Sequence, residues 1–302
     1  MSRAPQIALL ADGKRLHLQD GPIDLIIEAH GAASDVRAAY QAAISRFTGL
    51  LAELCVELTG LRQAADPVRC ELKGPVARRM HAAVAPFARH CFITPMAAVA
   101  GSVAEEILGA MLEVAPLARV YVNNGGDIAL HLAPGEEFTI GLLDRPDQNG
   151  LMQAMTVHAG DSARGVATSG RHGRSFSLGI ADAVTVLARS ASQADAAATV
   201  IANAVDLPGH PAIVRRAACD LQPDSDLGAH LVTREVGRLS EREIARALDA
   251  GAGCARRWLA AGLVESAVLR LSGEIRVVGT RDIEPRRSHL AGKAVPERAI
   301  HA

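Results

Sequence analysis

The stretch GVATSGRHGRSFSLGIADAVTVLARSASQADAAATVIANAV, residues 165–205, is the part of the chain around which the expected architecture is built. It predicts a polar turn, an apolar strand over 183–188 and a helix that opens near Ser192. Asp195, Thr199 and Asn203 recur every four residues, so a helix places them on one stripe among Ala, Val and Ile. Because unpaired buried polar groups are costly, this stripe must meet partners from elsewhere in the chain.

Composition describes an ordinary globular protein of 302 residues, 49% of them hydrophobic. Lys and Arg total 32 against 33 acidic residues, which gives no general reason to expect nucleic acid or an anionic membrane as partner. We find no apolar run long enough to span a membrane and no secretory signal, so we expect a cytoplasmic protein. The sequence does not decide between a monomer and a homo-oligomer.

The remaining periodicity predicts strands and helices mixed without the regular alternation of a doubly wound sheet. Asp20-Gly21 predicts a hairpin of strands 15–18 and 23–29. Further strands are expected at 118–122, 128–132, 138–143, 152–159, 166–168, 266–271 and 274–278. Helices are expected at 34–61, 75–90, after Pro95, at 211–219 and at 241–261. We therefore predict a two-lobed α+β fold in a single domain, residues 1–282, with a mobile charged tail over 283–302.

Three short segments, 95–106, 123–127 and 168–199, combine small residues with oxygen or amide side chains, as in a cleft where backbone approaches a ligand. The segment Asn124-Gly125-Gly126-Asp127 also suits a plain hairpin turn. Asp195 and Thr199 offer oxygen ligands to a hard cation such as magnesium. The segment Ser192 to Asp195 also fits a capping box, and on the residues alone capping is a stronger interpretation of Asp195 than metal binding.

Five cysteines, an odd number without a C-x-x-C pair, predict reduced thiols that are mostly buried, with no disulfide. Cys91 precedes the segment 95–106, and it is the candidate for thiol chemistry, although a small core residue is the commoner case. His172 is the candidate acid or base in the loop after 168, against the commoner alternative of a surface histidine.

Taken in order, PMAAVAGSVAEE (95–106), NNGGDI (123–128), TSGRHGRSFSLGIADAVTV (168–186) and ADAAAT (194–199) resemble the ApbE superfamily of flavin transferases, most closely an uncharacterised ApbE-like sister family. The resemblance implies a two-lobed, T-fold-like architecture with a central ligand cleft. It implies magnesium held by Asp195, Thr199 and a main-chain carbonyl between Ala98 and Ala100, which reverses the preference for capping. The residues implied to line a flavin dinucleotide cleft are Asn124, Gly125, Gly126, Asp127, Thr168, Ser169 and Gly170.

The chain departs from the pattern of FAD:protein FMN transferases. Gly101 stands where those enzymes have lysine, and the segment after Thr168-Ser169-Gly170 is shorter, with His172 and Asp182 as candidate catalytic groups. The leading hypothesis is a magnesium-assisted enzyme acting on a flavin or another phosphate-bearing small molecule. The alternatives are a thiol or sulfur-transfer enzyme using Cys91, and a flavin- or nucleotide-binding protein without catalysis.

Overall fold

The computed structural model describes residues 4–143, 151–279, 284–285 and 299–301, and it confirms the α+β class. The strands are β1 (Gln6–Leu9), β2 (Leu16–Asp20), β3 (Ile23–His30), β4 (Arg119–Asn124), β5 (Asp127–Leu132), β6 (Glu137–Leu143), β7 (Leu151–His158), β8 (Gly165–Ser169), β9 (Ala183–Ala188), β10 (Ile213–Ala217), β11 (Leu231–Val236), β12 (Ser266–Leu271), β13 (Glu274–Val278), β14 (Glu284–Pro285) and β15 (Ala299–His301). The α-helices are α1 (Ala33–Phe47), α2 (Leu50–Val56), α3 (Leu58–Leu61), α4 (Pro75–Ala88), α5 (Val99–Leu112), α6 (Ala191–Ala204), α7 (Ala218–Leu221) and α8 (Glu241–Ala260), and a 3₁₀ helix, Pro95–Ala98, precedes α5.

A nine-stranded antiparallel sheet forms the centre of the fold, in the order β1-β2-β3-β4-β5-β8-β9-β12-β13. Its two halves meet at β5 and β8, which share only the pairs Ile128 with Val166 and Ala129 with Gly165. One half packs on α1 and α5 and the other packs on α6 and α8, so each half has its own apolar core, and α4 contributes residues to both. The two halves are joined above this seam by the contact between α5 and α6.

Alternate residues of the same strands point to the opposite face and build a third core against a smaller sheet. Tyr121, Val166, Leu187 and Val268 contribute from the large sheet, and Phe138 contributes from β6. The smaller sheet has the order β14-β7-β6-β15, where β6 and β7 are antiparallel and β15 runs parallel to β6. The fold therefore has three layers, with the helices on one side of the nine-stranded sheet.

Most elements lie where their periodicity predicts them, but two helix predictions are wrong. The helix expected over 34–61 is three helices, interrupted at Gly49, whose φ is +87°. The helix expected over 211–219 is mostly strand β10, which pairs with β11, a strand that sequence reasoning missed. Here pairing with a distant strand overrides local helical spacing.

Residues Pro95–Leu112 are as long and apolar as a minimal membrane span, contrary to the expectation that no run reaches that length. Half of that window is buried, and α5 packs against α1, α4 and α6, so the apolar character is that of a core helix. The cytoplasmic location stays a prediction. The predicted tail lies outside the described residues except for β14 and β15, and its mobility also stays a prediction.

Candidate functional site

The polar segments predicted to form a cleft come together at the seam between the two half-sheets. The turn between β4 and β5, the end of β8 and the first turns of α5 and α6 all contribute. The two helices approach so closely that a Cβ on Gly101 would lie 2.3 Å from the carbonyl oxygen of Ala191. Only glycine fits at this crossing, so the lysine that transferases have at the corresponding place has no room here.

Asp195 reaches from α6 to the beginning of α5. Its Oδ2 accepts the Gly101 N–H at 3.0 Å, and the Ala100 N–H also bonds to this carboxylate. The N-cap of α6 is Ser190, whose hydroxyl accepts the Gln193 N–H at 3.3 Å. The capping box expected from Ser192 to Asp195 is therefore wrong, because Asp195 caps the neighbouring helix, whose own N-cap, Ala98, has no side-chain cap bond.

A second carboxylate makes the reverse contact at the same crossing. Oε1 of Glu105 on α5 accepts the Ser192 N–H of α6 at 2.7 Å and the Ser192 hydroxyl at 3.0 Å. Arg79 of α4 lies 3.4 Å from the other oxygen of Glu105. Two acidic side chains thus exchange caps between α5 and α6, and sequence reasoning missed Glu105 because its partner is 87 residues away.

Asp127 and Asn124 place the β4–β5 turn against these helix ends. Oδ1 of Asp127 accepts the Thr168 N–H at 3.2 Å, and the Asn124 side-chain amide donates to the Ala100 carbonyl at 3.2 Å. The Thr168 and Thr185 hydroxyls lie 2.8 Å apart. Three contacts thus bring the predicted segments together: Asn124 meets Ala100, Asp127 meets Thr168, and Asp195 meets Gly101. The partners are 24, 41 and 94 residues apart in the chain.

Burial raises the pKa of both carboxyl groups at this crossing, Asp127 and Asp195. Burial raises the pKa of Asp127 to about 7, against the opposing effects of the Thr168 N–H and the Arg174 charge. Burial raises the pKa of Asp195 well above its usual range, and the charges of Asp127 and, to a smaller extent, Glu105 raise it further, against the opposing effect of the Gly101 and Ala100 N–H groups. The ionised form of either carboxyl group is therefore costly at this corner of the molecule, and a positive charge bound there would lower that cost.

The other members of the α6 stripe have different surroundings. Asn203 accepts the Leu178 N–H at 2.9 Å and holds the segment before β9, so it has a structural partner. Thr199 lies one turn beyond Asp195 and is partly exposed. Asp195 and Thr199 thus follow each other along the helix face as predicted, while Ala98 is buried in the core.

His172 and Asp182 also meet, but at a different place. His172 Nε2 lies 3.3 Å from Asp182 Oδ1, which also accepts from Arg171 Nε at 2.8 Å. The other oxygen of Asp182 accepts the Ser272 N–H at 2.5 Å, which ties this loop to the β12–β13 turn. Among the described residues, the polar side-chain contacts of His172 and Asp182 are with each other, Arg171 and the Ser272 N–H, while Asp127 and Asp195 have other partners.

Cys91 lies near α8. Its Sγ is 3.6 Å from the Phe87 carbonyl oxygen, and the Cys254 thiol and the Arg257 guanidinium of α8 are its titratable neighbours. Burial raises the pKa of this thiol, which lowers its thiolate fraction at neutral pH. All five cysteines are free, as predicted, but the expectation that most are buried is wrong, since only Cys254 is.

The donor set at Asp195 suits a hard cation that keeps much of its water. Among the described residues, no three His, Cys, Asp or Glu side chains gather as in a site made entirely of side chains. The candidate oxygen ligands are the carboxylates of Asp127 and Asp195, the Thr199 hydroxyl and the Ala100 carbonyl. Magnesium prefers oxygen ligands and completes its coordination shell with water or phosphate. A separate surface pocket of about 450 Å³, beside Phe92 and His230, shares no lining residue with this site.

Comparison with known proteins identifies the family of the chain. The sequence model of a family described as AbpE bacteria matches residues 7–277. The chain belongs to this family. The resemblance drawn from residues 95–199 is confirmed by that match, which also covers the seam, both half-sheets and α8.

Relatives with curated sequences bear the name UPF0280 protein. That of Methanopyrus kandleri is 38% identical over 156 residues, which are 50% of this chain and 58% of that protein. That of Archaeoglobus fulgidus is 36% identical over 140 residues, 46% of this chain and 54% of that protein. The chain thus spans about half the length of the curated relatives it matches. A crystal structure of the ApbE protein from Thermotoga maritima aligns with 14% identity and a TM-score of 0.38 over 82% of this chain and 76% of that one, a likeness too distant to carry an argument.

Proposed function

We propose that this protein binds a phosphate-bearing small molecule through a divalent cation held at Asp195, with a flavin dinucleotide as the first ligand to test. The observation that carries the proposal is the pair of partly buried carboxyl groups at the seam, Asp127 and Asp195, because burial and, for Asp195, the charge of Asp127 make their ionised forms costly. A magnesium ion there would balance that charge and supply a Lewis acid for phosphate oxygens. Asp195, Thr199 and the Ala100 carbonyl are the residues that would hold it.

The chain's own groups position such a ligand. Asn124 and Thr168 are fixed by hydrogen bonds to Ala100 and Asp127, so the turn and the strand end form a rigid wall beside the carboxylates. Ser169 ends strand β8, and Gly170 follows it and lies against the Asp182 carbonyl. Because these contacts are already made within the protein, the site is organised before a ligand arrives, which reduces the cost of ordering it on binding.

Binding is better supported than flavin transfer. The crossing at Gly101 leaves no space for a side chain, and His172 and Asp182 are engaged with Arg171 and the β12–β13 turn. A thiol reaction at Cys91 has less support, because the thiol has a raised pKa and because its neighbours are Phe87, Cys254 and Arg257 rather than Asp127 or Asp195. We therefore place transfer chemistry second and thiol chemistry third.

The test is thermal unfolding of the full chain with chelator, with Mg²⁺, and with Mg²⁺ plus FAD. We expect each addition to raise the melting temperature, because a ligand that binds only the native state stabilises it. Asp195→Asn should abolish the Mg²⁺-dependent shift, since an amide replaces a carboxylate poorly at a hard cation. Glu113→Gln is the control, an exposed carboxylate at the opposite end of α5 from Gly101, and it should keep the shift. A full Mg²⁺ shift in Asp195→Asn would leave Asp195 with its capping role alone and overturn the proposal.

A further inference from the structure

Two arginines of the loop after β8 have different partners. Arg171 is paired with Asp182, its Nη2 lying 2.6 Å from Oδ1. Arg174, three residues later, forms no ion pair with any carboxylate among the described residues. It is exposed, yet its guanidinium lies directly on the β4–β5 turn. The first arginine is thus committed to the fold, while the second keeps its hydrogen-bonding groups available.

The position of Arg174 depends on Gly125. A Cβ built on Gly125 would lie 1.9 Å from Arg174 Nη2 and 2.9 Å from Cζ, so the absence of a side chain lets the guanidinium rest on the turn. Gly125 also has a φ of +65°, in the left-handed region that favours glycine. The turn that presents Asp127 therefore also provides the seat for Arg174.

Arg174 is close enough to Asp127 for its charge to act on that carboxylate and oppose the effect of burial. One exposed arginine does not neutralise two acidic groups. The site thus has a cation-attracting part, Asp127 and Asp195, and a single positive group beside it on a long, movable side chain. A ligand that satisfies both parts carries negative charge and contacts the cation and the guanidinium together.

We infer that Arg174 is the anion-binding residue of this site and holds a phosphate group of the ligand, on the side opposite the cation at Asp195. The inference rests on the proposed function. The planar fork of a guanidinium matches two oxygens of a phosphate, and such charge-assisted bonds are the strong ones. Phosphate has enough oxygens to face a cation and Arg174 at once. Since Arg174 has no carboxylate partner, it breaks no ion pair to bind.

Calorimetry with inorganic pyrophosphate, with and without Mg²⁺, tests the inference on the full-length protein. Arg174→Gln should weaken pyrophosphate binding about tenfold, the loss expected for one charge-assisted contact. It should leave binding of Mg²⁺ alone unchanged or tighter, since a positive charge is removed from the neighbourhood. Arg171→Gln is the matched control, and it should change pyrophosphate affinity by about twofold or less. Riboflavin, which has no phosphate, should bind the wild type and Arg174→Gln equally.

A second variant separates the position of Arg174 from its presence. Gly125→Asn introduces a residue that tolerates the left-handed region, but its side chain takes the space in which the Arg174 guanidinium lies. It should therefore reproduce the loss of pyrophosphate affinity although Arg174 is still present. Equal pyrophosphate affinity in wild type and Arg174→Gln overturns the inference while the cation proposal stands. Binding of pyrophosphate that needs Arg174 but no Mg²⁺ supports the inference and removes the cation from the proposed function. A wild type that binds Mg²⁺ but no pyrophosphate overturns the role of Arg174, and one that binds neither overturns both.

Discussion

Glu105 and Asp195 stand at the two ends of the same helix crossing and make the same kind of contact. Each leaves its own helix and accepts amides from the first turn of the other, Glu105 from Ser192 and Asp195 from Gly101 and Ala100. Helix N-termini favour negative charge, so both contacts stabilise the crossing. The difference lies in what stands behind each carboxylate.

Behind Glu105 lies Arg79, which also donates to Glu106 at 2.7 Å, and Glu106 in turn accepts from Arg46 at 2.7 Å. This end is a network of alternating charges. Beside Asp195 lies another acid, Asp127, and the charge of Glu105 itself also acts on Asp195. The comparison teaches that a carboxylate that caps a neighbouring helix can serve two purposes. Glu105, which has an arginine partner, supports the fold, whereas Asp195, which has an acidic neighbour, has a charge that a ligand could balance.

Removing the close approach at the crossing should have the largest effect. Gly101→Ala places a methyl group 2.3 Å from the Ala191 carbonyl oxygen and 2.7 Å from the Ser192 nitrogen, which forces backbone to move. We expect a loss of about 3 kcal/mol or more in the free energy of unfolding, measured by urea denaturation. Gly109→Ala in the same helix meets nothing within 4 Å and should be neutral or stabilising by up to about 1 kcal/mol. Equal effects of the two changes would show that the helices do not cross as described.

Removing Glu105, the carboxylate that has an arginine partner, should have the next largest effect on stability. Glu105→Ala leaves the Ser192 N–H without its acceptor and Arg79 with one acid fewer. We expect a loss of about 2 kcal/mol in the free energy of unfolding. The exposed Glu113, at the end of α5, is the control, and Glu113→Ala should change stability by about 0.5 kcal/mol or less. If Glu105→Ala behaves like this surface change, the reciprocal capping contributes nothing.

Removing the charge of Asp195, the carboxylate with an acidic neighbour, should have the smallest effect on the free energy of unfolding, and this effect should be a gain. Asp195→Asn keeps an oxygen for the α5 amides and deletes a charge beside Asp127. With chelator at pH 8 we expect a gain on the order of 1 kcal/mol in the free energy of unfolding.

The pH dependence of that gain follows from the raised pKa values. Unfolded aspartates titrate near 3.8, while Asp127 titrates at about 7 and Asp195 well above 3.8 in the folded protein. Between these values the folded state binds more protons, so wild-type stability falls as pH rises through this window. The advantage of Asp195→Asn should therefore grow from pH 4 to pH 8 in melting curves. An advantage that is constant with pH, or a loss at pH 8, would contradict the charge imbalance at this end of the crossing.

Several features could be predicted because their cause is local. The alternating or apolar runs at 183–188 and 266–271 form strands β9 and β12, and the four-residue spacing of Asp195 and Thr199 places them on one helix face. The order of the polar segments along the chain was enough to recognise the family, which the match over residues 7–277 confirms. These properties depend on backbone periodicity and on residue type, and both can be read along the chain.

Other features depend on partners distant in the chain. Local spacing predicted that Asp195 caps its own helix, but it caps α5, because Gly101 lets the two helices meet at that point. Local spacing also predicted a helix where β10 pairs with β11. Glu105 and Arg174 carried no signal of their own, since an acid on a helix and an arginine in a loop are ordinary on a surface.

The sequence alone thus determined the class of the fold, most strands and helices, the family, and the residues that line the seam. The tertiary structure decided which of those residues serve the fold and which are left with unbalanced charge. The physical reason is that the cost of a charge depends on burial and on every neighbouring group, and packing brings those neighbours together from separate parts of the chain. Asp127 and Asp195 are 68 residues apart in sequence by their numbering, and only the crossing of α5 and α6 over the seam makes them a pair.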